Sequence, residues 1–317
     1  MIYARTSRNA LVSPSLATFE TLTTALGALI LDTELEAISA ETALPKQTIL
    51  MCAPDYFGID YVINPWMEGN CGKADRVLAA EQWSELKRAI EAETDVVLIS
   101  PQPGLPDQVF TANAGMVLEE KVVVSRFRAP ERRGEEPFFE QWFVKNDFDI
   151  AEWPAEVSFE GAGDALLDRG QSILWAGYGF RSANSIPSLL EKTFNRRAVG
   201  LRLVDPRFYH LDTCLCPLEG GYLMYFPAAF DADGQKAIAD IVPAEKLIEV
   251  QASDAEQFCC NAVDLNGQVF MNGASESLQE RLREAGFTPV ITPLSEFMKA
   301  GGAAKCLTLK LREELDC

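Results

Sequence analysis

The sequence predicts an α/β fold in which five units, each of strands and one helix, form the blades of a propeller around a central channel. Three observations carry this expectation. Short apolar runs alternate with single amphipathic helices, and the pattern recurs every ~45–55 residues, as in repeats that cannot bury their apolar faces alone. The 317 residues are 48 % hydrophobic, enough for a large core without disulfides. No apolar run reaches the roughly 18 residues that a membrane span needs.

In chain order, residues 1–46 read as an N-terminal extension and 47–317 as one propeller domain. Met1 to Phe19 holds arginines and serines but no acid, which suits a targeting peptide, while Leu22–Leu35 suits a docked helix. The first unit has a strand at Ile49–Ala53, a turn at Pro54–Gly58 and a second strand within Tyr61–Asn70. Its helix spans Asp75–Ala92, with Val77, Leu78, Trp83, Leu86 and Ile90 as the apolar face, and a strand follows at Val96–Ile99. The second unit has strands Val109–Val117 and Lys121–Arg126, helix Glu136–Asn146 and strand Ile150–Trp153. The third has Ala165–Asp168, Ser172–Ala176, a helix around Ile186–Phe194 and strand Val199–Val204. The fourth has Thr213–Pro217, Tyr222–Tyr225, Gln235–Asp240 and Lys246–Val250. The fifth has Ala262–Leu265, Gln268–Met271, a helix over Ser275–Ala285 and strand Thr288–Ile291, and it closes on a strand at Lys305–Leu311.

The net charge of −19 argues against nucleic-acid binding, which needs basic patches. It suits a small cationic substrate, and solubility explains it equally well. Among the eight cysteines, Cys259 and Cys260 are vicinal and Cys214 and Cys216 are one residue apart. Neither spacing suits a disulfide framework, so a reducing compartment, the cytoplasm, is expected, with organellar targeting by the N-terminal segment left open. A single histidine and these spacings leave no zinc site. A homo-oligomer stays open, and no membrane partner is expected.

Cys306 follows the small-residue loop Ala300-Gly-Gly-Ala-Ala-Lys and heads an apparent strand. A thiol in that position can face a pocket and act as a nucleophile if a neighbouring charge lowers its pKa. A buried structural cysteine fits the same stretch. His210 is the only histidine, so any imidazole acid/base must be His210. A period of two would put His210 and Asp212 on one strand face, where the carboxylate could orient the ring. Phe159-Glu-Gly-Ala-Gly-Asp164 sets two acids around small residues, and Glu160 could accept hydrogen bonds from a substrate that the glycines admit. Asp107, Phe110 and Asn113 lie along Leu105–Ala114. Arg132 and Arg181 stand in glycine-bearing loops, where an arginine can clamp a carboxylate.

Together these runs resemble the guanidine-modifying superfamily of arginine deiminases, dimethylarginine dimethylaminohydrolases and amidinotransferases, whose fold is the five-bladed α/β-propeller, or pentein. The resemblance extends from about Ile49 to Leu311 and is nearest to the arginine dihydrolases, or arginine-guanidine removing enzymes, of the cyanobacterial type. It rests on Ile63-Asn-Pro-Trp-Met67, Pro106-Asp-Gln-Val-Phe-Thr-Ala-Asn113, Phe159-Glu-Gly-Ala-Gly-Asp164, Phe208-Tyr-His-Leu-Asp212 and Gly301-Gly-Ala-Ala-Lys-Cys306. It implies Cys306 as nucleophile, His210 as proton shuttle and Glu160 as the group holding the guanidine nitrogens. It further implies Arg132 and Arg181 on the substrate's α-carboxylate, Asp107 on its α-ammonium, and Asn64 and Phe110 in the pocket wall. No cofactor or metal is implied. Deiminases and dimethylaminohydrolases carry aspartate where this chain has Asn113. An amide offers both donor and acceptor to a neutral ureido group, so Asn113 implies that a citrulline-like intermediate is kept and hydrolysed again. The expected reaction is therefore arginine to ornithine. The alternatives are a single-step hydrolase releasing citrulline and a non-catalytic propeller resembling a ribosome anti-association factor.

Overall fold

The structure, a computed structural model, describes residues 48–312, so the expectations for the first 46 residues lie outside it. Fifteen strands among the described residues form five three-stranded sheets, and all five share one plan. The second sheet shows it. Strand β3 (Gly115–Leu118) pairs antiparallel with β4 (Lys121–Val124), and β4 pairs parallel with β5 (Asp149–Ile150) after passing through helix α2 (Glu136–Lys145). The third sheet is β6 (Ala165–Leu167), β7 (Ile173–Tyr178), helix α3 (Ile186–Phe194) and β8 (Arg197–Arg202). The fourth is β9 (Leu215–Leu218), β10 (Tyr222–Tyr225), α4 (Ala232–Ile241) and β11 (Leu247–Glu249). The fifth is β12 (Val263–Leu265), β13 (Gln268–Met271), α5 (Glu276–Glu284) and β14 (Thr288–Ile291). In each, a parallel strand follows a helix because the return to the same sheet edge needs a long crossover.

The remaining sheet is split in sequence. Strand β1 (Thr48–Cys52) pairs parallel with β2 (Asp95–Ile99) through helix α1 (Arg76–Glu91), and its antiparallel partner is β15 (Leu309–Arg312) from the far end of the chain. The strand expected to close the fifth unit thus completes the first. The second strand expected within Tyr61–Asn70 is absent, and a 3-10 turn at Pro65–Met67 stands there. The expected strand from Val109 also breaks. Two 3-10 turns, Pro106–Val109 and Thr111–Ala114, occupy that stretch before β3 begins.

Helix starts follow local chemistry. Asp75 caps α1 by accepting from the amides of Val77 and Leu78, Asp231 caps α4 through Gly234, and Ser275 caps α5 through Leu278. Pro137 and Pro187 fill the first turns of α2 and α3, where a missing N–H costs nothing. Along α1, Ala79, Trp83, Leu86 and Ile90 are buried at helical spacing, whereas Val77, 71 % exposed, lies off the face expected for it. A narrow cavity is lined by residues of all five leading strands, among them Val117, Leu166, Leu215, Val263 and Leu309. No helix among the described residues is long and apolar enough to cross a membrane.

Candidate active site

The residues singled out above cluster just ahead of the leading strands. Asn113 lies two residues before β3, Glu160 five before β6, His210 five before β9, and Cys306 three before β15. A short 3-10 turn intervenes in the first three cases, at Thr111–Ala114, Gly161–Gly163 and Leu211–Thr213. Each turn stops the strand and swings one polar side chain inward. Close approach demands the glycines here: a Cβ on Gly163 would lie 2.4 Å from Asn113 Nδ2, and Gly301 adopts φ +88°.

A small cavity is lined by Asn64, Asp107, Phe110, Asn113, Arg132, Arg181 and Cys306, together with Tyr209 and Met67. Seven of the nine singled-out residues therefore meet in one place. Glu160 and His210 adjoin it through Arg181, whose Nη1 donates to Glu160 Oε2 at 3.1 Å, while His210 Nε2 meets the same oxygen at 2.7 Å. Burial alone would raise the Glu160 carboxyl, yet Arg181, His210 and Arg132 hold it well below the usual carboxylate range.

Cys306 is 2 % exposed and sits in a turn rather than at the head of a strand. Its Sγ lies 3.4 Å from Asp212 Oδ2 and accepts from Asn261 Nδ2 at 3.1 Å. Burial and then the Asp212 charge push the thiol well above its ordinary value. Burial likewise lifts Asp212 to about 7. The expectation that Asp212 orients the imidazole is corrected. His210 is the last extended residue before a turn, so the period of two ends there: Asp212 faces Cys306, and the imidazole's carboxylate is Glu160.

Asn113 is pinned at both ends. Its Nδ2 donates to the Glu160 carbonyl at 2.9 Å, and its Oδ1 accepts from Arg132 Nη1 at 2.7 Å. Arg132 also grips Glu135 through Nε and Nη2, at 2.9 and 2.7 Å, and its guanidinium lies 4.4 Å from the Phe127 ring centroid. Asn64 caps the Pro65–Met67 turn and donates to the Ala300 carbonyl at 3.0 Å, tying that turn to the loop before Cys306. Asp107 accepts from the Tyr61 hydroxyl through Oδ2 at 2.9 Å, and its buried Oδ1 has no partner. Tyr61, Glu135, Tyr209 and Asn261 were not singled out from sequence. Glu135 pairs with Arg132 three residues away and Tyr209 lies within the Phe208–Asp212 run, whereas the contacts of Tyr61 and Asn261 cross the chain. Asn261 had a positional signal, standing two residues before β12 as Asn113 stands before β3. Among the described residues, no group of three His, Cys, Asp or Glu side chains is placed to hold a metal ion.

With this geometry, comparison with known proteins is decisive. A family model described as N,N dimethylarginine dimethylhydrolase, eukaryotic, matches residues 59–313. The chain belongs to this family. Within the dimethylarginine dimethylhydrolase family, it is 38 % identical over 264 residues to the N(G),N(G)-dimethylarginine dimethylaminohydrolase of Mycobacterium tuberculosis, covering 82 % of this chain and 84 % of that protein. It is 54 % identical over 267 residues to the bifunctional arginine dihydrolase/ornithine cyclodeaminase ArgZ of Synechocystis sp., covering 84 % of this chain. The match spans 38 % of ArgZ's length. The crystal structure of the N-terminal domain of ArgZ from cyanobacteria, a cysteine-to-serine mutant bound to substrate, superposes with a TM-score of 0.83 at 54 % identity, covering 84 % of this chain and 98 % of that one. This family member shares the α/β fold of that domain, with its small mixed sheets.

Proposed function

We propose that the chain is a hydrolase of guanidino carbon–nitrogen bonds that converts L-arginine to L-ornithine, carbon dioxide and ammonia through a bound citrulline. The observation that carries this reading is the buried thiol of Cys306 in a cavity that also presents the unpaired Asp107 Oδ1, with Asp212 Oδ2 3.4 Å from the sulfur. Asp107, Glu135 and Glu160 are buried beside the guanidinium groups of Arg132 and Arg181, and Asp212 is buried beside Cys306. Such a site favours a ligand bringing positive charge, as arginine does with its guanidinium and ammonium groups. Similarity to ArgZ, named as an arginine dihydrolase, supports the arginine-to-ornithine outcome.

The chemistry follows from the groups present. A resting neutral thiol passes its proton to Asp212 Oδ2, 3.4 Å away, when the guanidinium cation stabilises the thiolate that forms. Cys306 Sγ bonds to the guanidinium carbon, His210 protonates the departing nitrogen, and ammonia leaves. Water, deprotonated by His210, adds to the thiouronium carbon and expels the thiolate, giving citrulline. A second attack on the ureido carbon expels ornithine and leaves an S-carbamoyl cysteine, whose hydrolysis yields carbamate and then carbon dioxide and ammonia. Glu160 steadies the imidazolium at each proton transfer. Asp107 Oδ1 takes the substrate ammonium, Arg132 and Arg181 the α-carboxylate, and Phe110 and Asn64 shape the wall. The alternative that stops at citrulline draws support from the dimethylaminohydrolase relatives.

We further infer that the five sheets are the blades of a propeller in a single domain beginning near residue 47. One plan repeated five times, with the leading strand of each sheet lining one shared cavity, supports it. Incubation with arginine and quantification of amino-acid products tests the reaction. Ornithine in excess of citrulline is expected, and citrulline alone would leave the single-step hydrolase standing.

A further inference from the structure

Asn261 is fully buried and spends every hydrogen-bonding group it has. Its Oδ1 accepts from the backbone amides of Ala303 and Cys306, at 3.0 and 3.1 Å. Its Nδ2 donates to the Asp212 carbonyl at 3.0 Å and to Cys306 Sγ at 3.1 Å. A primary amide has two donors and two acceptor sites, and here all four are used. The amide cannot be flipped, because the two backbone N–H groups require the oxygen on their side and the carbonyl requires the nitrogen on the other. One side chain thus sets the loop carrying the thiol, the turn carrying Asp212, and a donor aimed at the sulfur itself.

The two halves of the amide do different work. The oxygen half positions the Ala300–Cys306 loop, a purely structural task. The nitrogen half touches the sulfur, and a donor there favours the charged over the neutral form. We propose that Asn261 is a catalytic residue which stabilises the Cys306 thiolate each time it forms, as attacking group and as leaving group, while its oxygen holds the nucleophile loop in register. This rests on the reading of Cys306 as nucleophile. In a cycle with two covalent adducts the thiolate is generated and expelled twice, so one donor fixed on the sulfur serves four steps.

Asn261→Asp separates the halves, since aspartate keeps oxygens for the Ala303 and Cys306 amides but has no N–H for the sulfur and adds a negative charge beside it. The experiment measures the pH dependence of Cys306 alkylation by iodoacetamide, resolved by peptide mass spectrometry so that exposed Cys71 does not interfere, with Tm and arginine turnover on the same samples. In the variant the alkylation profile is expected to move up by at least one pH unit, with turnover near neutrality falling tenfold or more. A variant with near-wild-type Tm and an unmoved profile overturns the proposal, because a merely structural amide would leave thiol ionisation alone. If Asn261→Asp does not fold, Asn261→Ser is read the same way: a displaced profile supports the proposal and an unmoved one overturns it. Cys306→Ser distinguishes the two readings. Turnover persisting in that variant removes the nucleophile assignment and this proposal with it. An inactive Cys306→Ser beside an Asn261→Asp that alkylates like wild type removes this proposal alone.

Discussion

His210 and Glu160 are joined at 2.7 Å through Nε2 and Oε2, while His210 Nδ1 is buried with no partner. Fixing one ring nitrogen leaves the other as the nitrogen available for reacting groups. Glu160→Gln should keep the shape, lose the charge that favours imidazolium, and lower kcat by about 10²–10⁴-fold, the range general acid–base catalysis supplies. His210→Gly should lose at least as much. Steady-state kinetics at saturating arginine decides it, and near-wild-type kcat in either variant would move the proton transfers to another group.

Cys306→Ser should abolish turnover, since a serine hydroxyl is far less acidic than a thiol and the neighbouring Asp212 carboxylate is too weak a base to ionise it. Cys214, Cys216, Cys259 and Cys260 are buried in the core around β9 and β12, outside the cavity that Cys306 lines. Alanine at any one of them should cost stability by loss of packing yet retain turnover per folded molecule. Active-site titration beside Tm measurement checks both halves.

Asp107→Asn tests the unpaired Oδ1. Exchanging a charged acceptor for a neutral amide should weaken arginine by roughly 1.5–3 kcal/mol, about 10–100-fold in KM. Agmatine keeps the amine and lacks the carboxylate, so it should be a very poor substrate of the wild type, with Arg132 and Arg181 left without its partner. Comparable kcat/KM for agmatine and arginine would show those arginines to be structural.

Burial raises Asp212 from 3.8 and Glu135 from 4.5, each to about 7, and Asp164 to about 6. The folded chain therefore holds protons that the unfolded chain releases above about pH 4. The stability these groups contribute is full below that pH and is lost as pH rises toward about 7. Glu160, depressed, works in the opposite sense: the stability it contributes is present above about pH 4.5 and is lost as pH falls into strong acid. Ligand-free Tm should fall between about pH 5 and pH 8, and Asp212→Asn should flatten part of that slope. A Tm that rises across the window would contradict the assignment.

Asn113→Asp should change the product. An aspartate keeps the Arg132 contact but places a carboxylate oxygen 2.9 Å from the Glu160 carbonyl, where Nδ2 now donates. It also lacks a donor for the ureido oxygen, so the second attack should suffer more than the first. Citrulline should accumulate while ornithine falls, read by chromatography of timed reactions. An equal decline in both would reduce Asn113 to a brace.

Much of the architecture was legible because it is local. The apolar period placed helix α3 at Ile186–Phe194 and strands β10 and β13 at their observed limits. The turns ahead of the leading strands were not legible. Val109–Val117 is apolar enough for a strand, yet Thr111 sends its hydroxyl to the Leu50 and Leu307 carbonyls and the chain coils around that anchor. Site residues with a motif could be singled out. The Asp212–Cys306 and Asn261–Cys306 contacts join residues 94 and 45 positions apart, which no spacing within a strand or helix can reveal.

The pairing of β1 with β15 makes competence a late event in the life of the chain. Translation delivers the imidazole, the arginines and the acids well before Leu309 leaves the ribosome, but until then β1 presents a bare antiparallel edge. Cys306, three residues upstream, then has its contacts with Asn261 and Ala112 but no paired strand anchoring the chain beyond it. A message cut short anywhere before that strand yields a polypeptide with most of the candidate site residues, an unguarded edge open to aggregation and a thiol whose loop lacks its strand anchor.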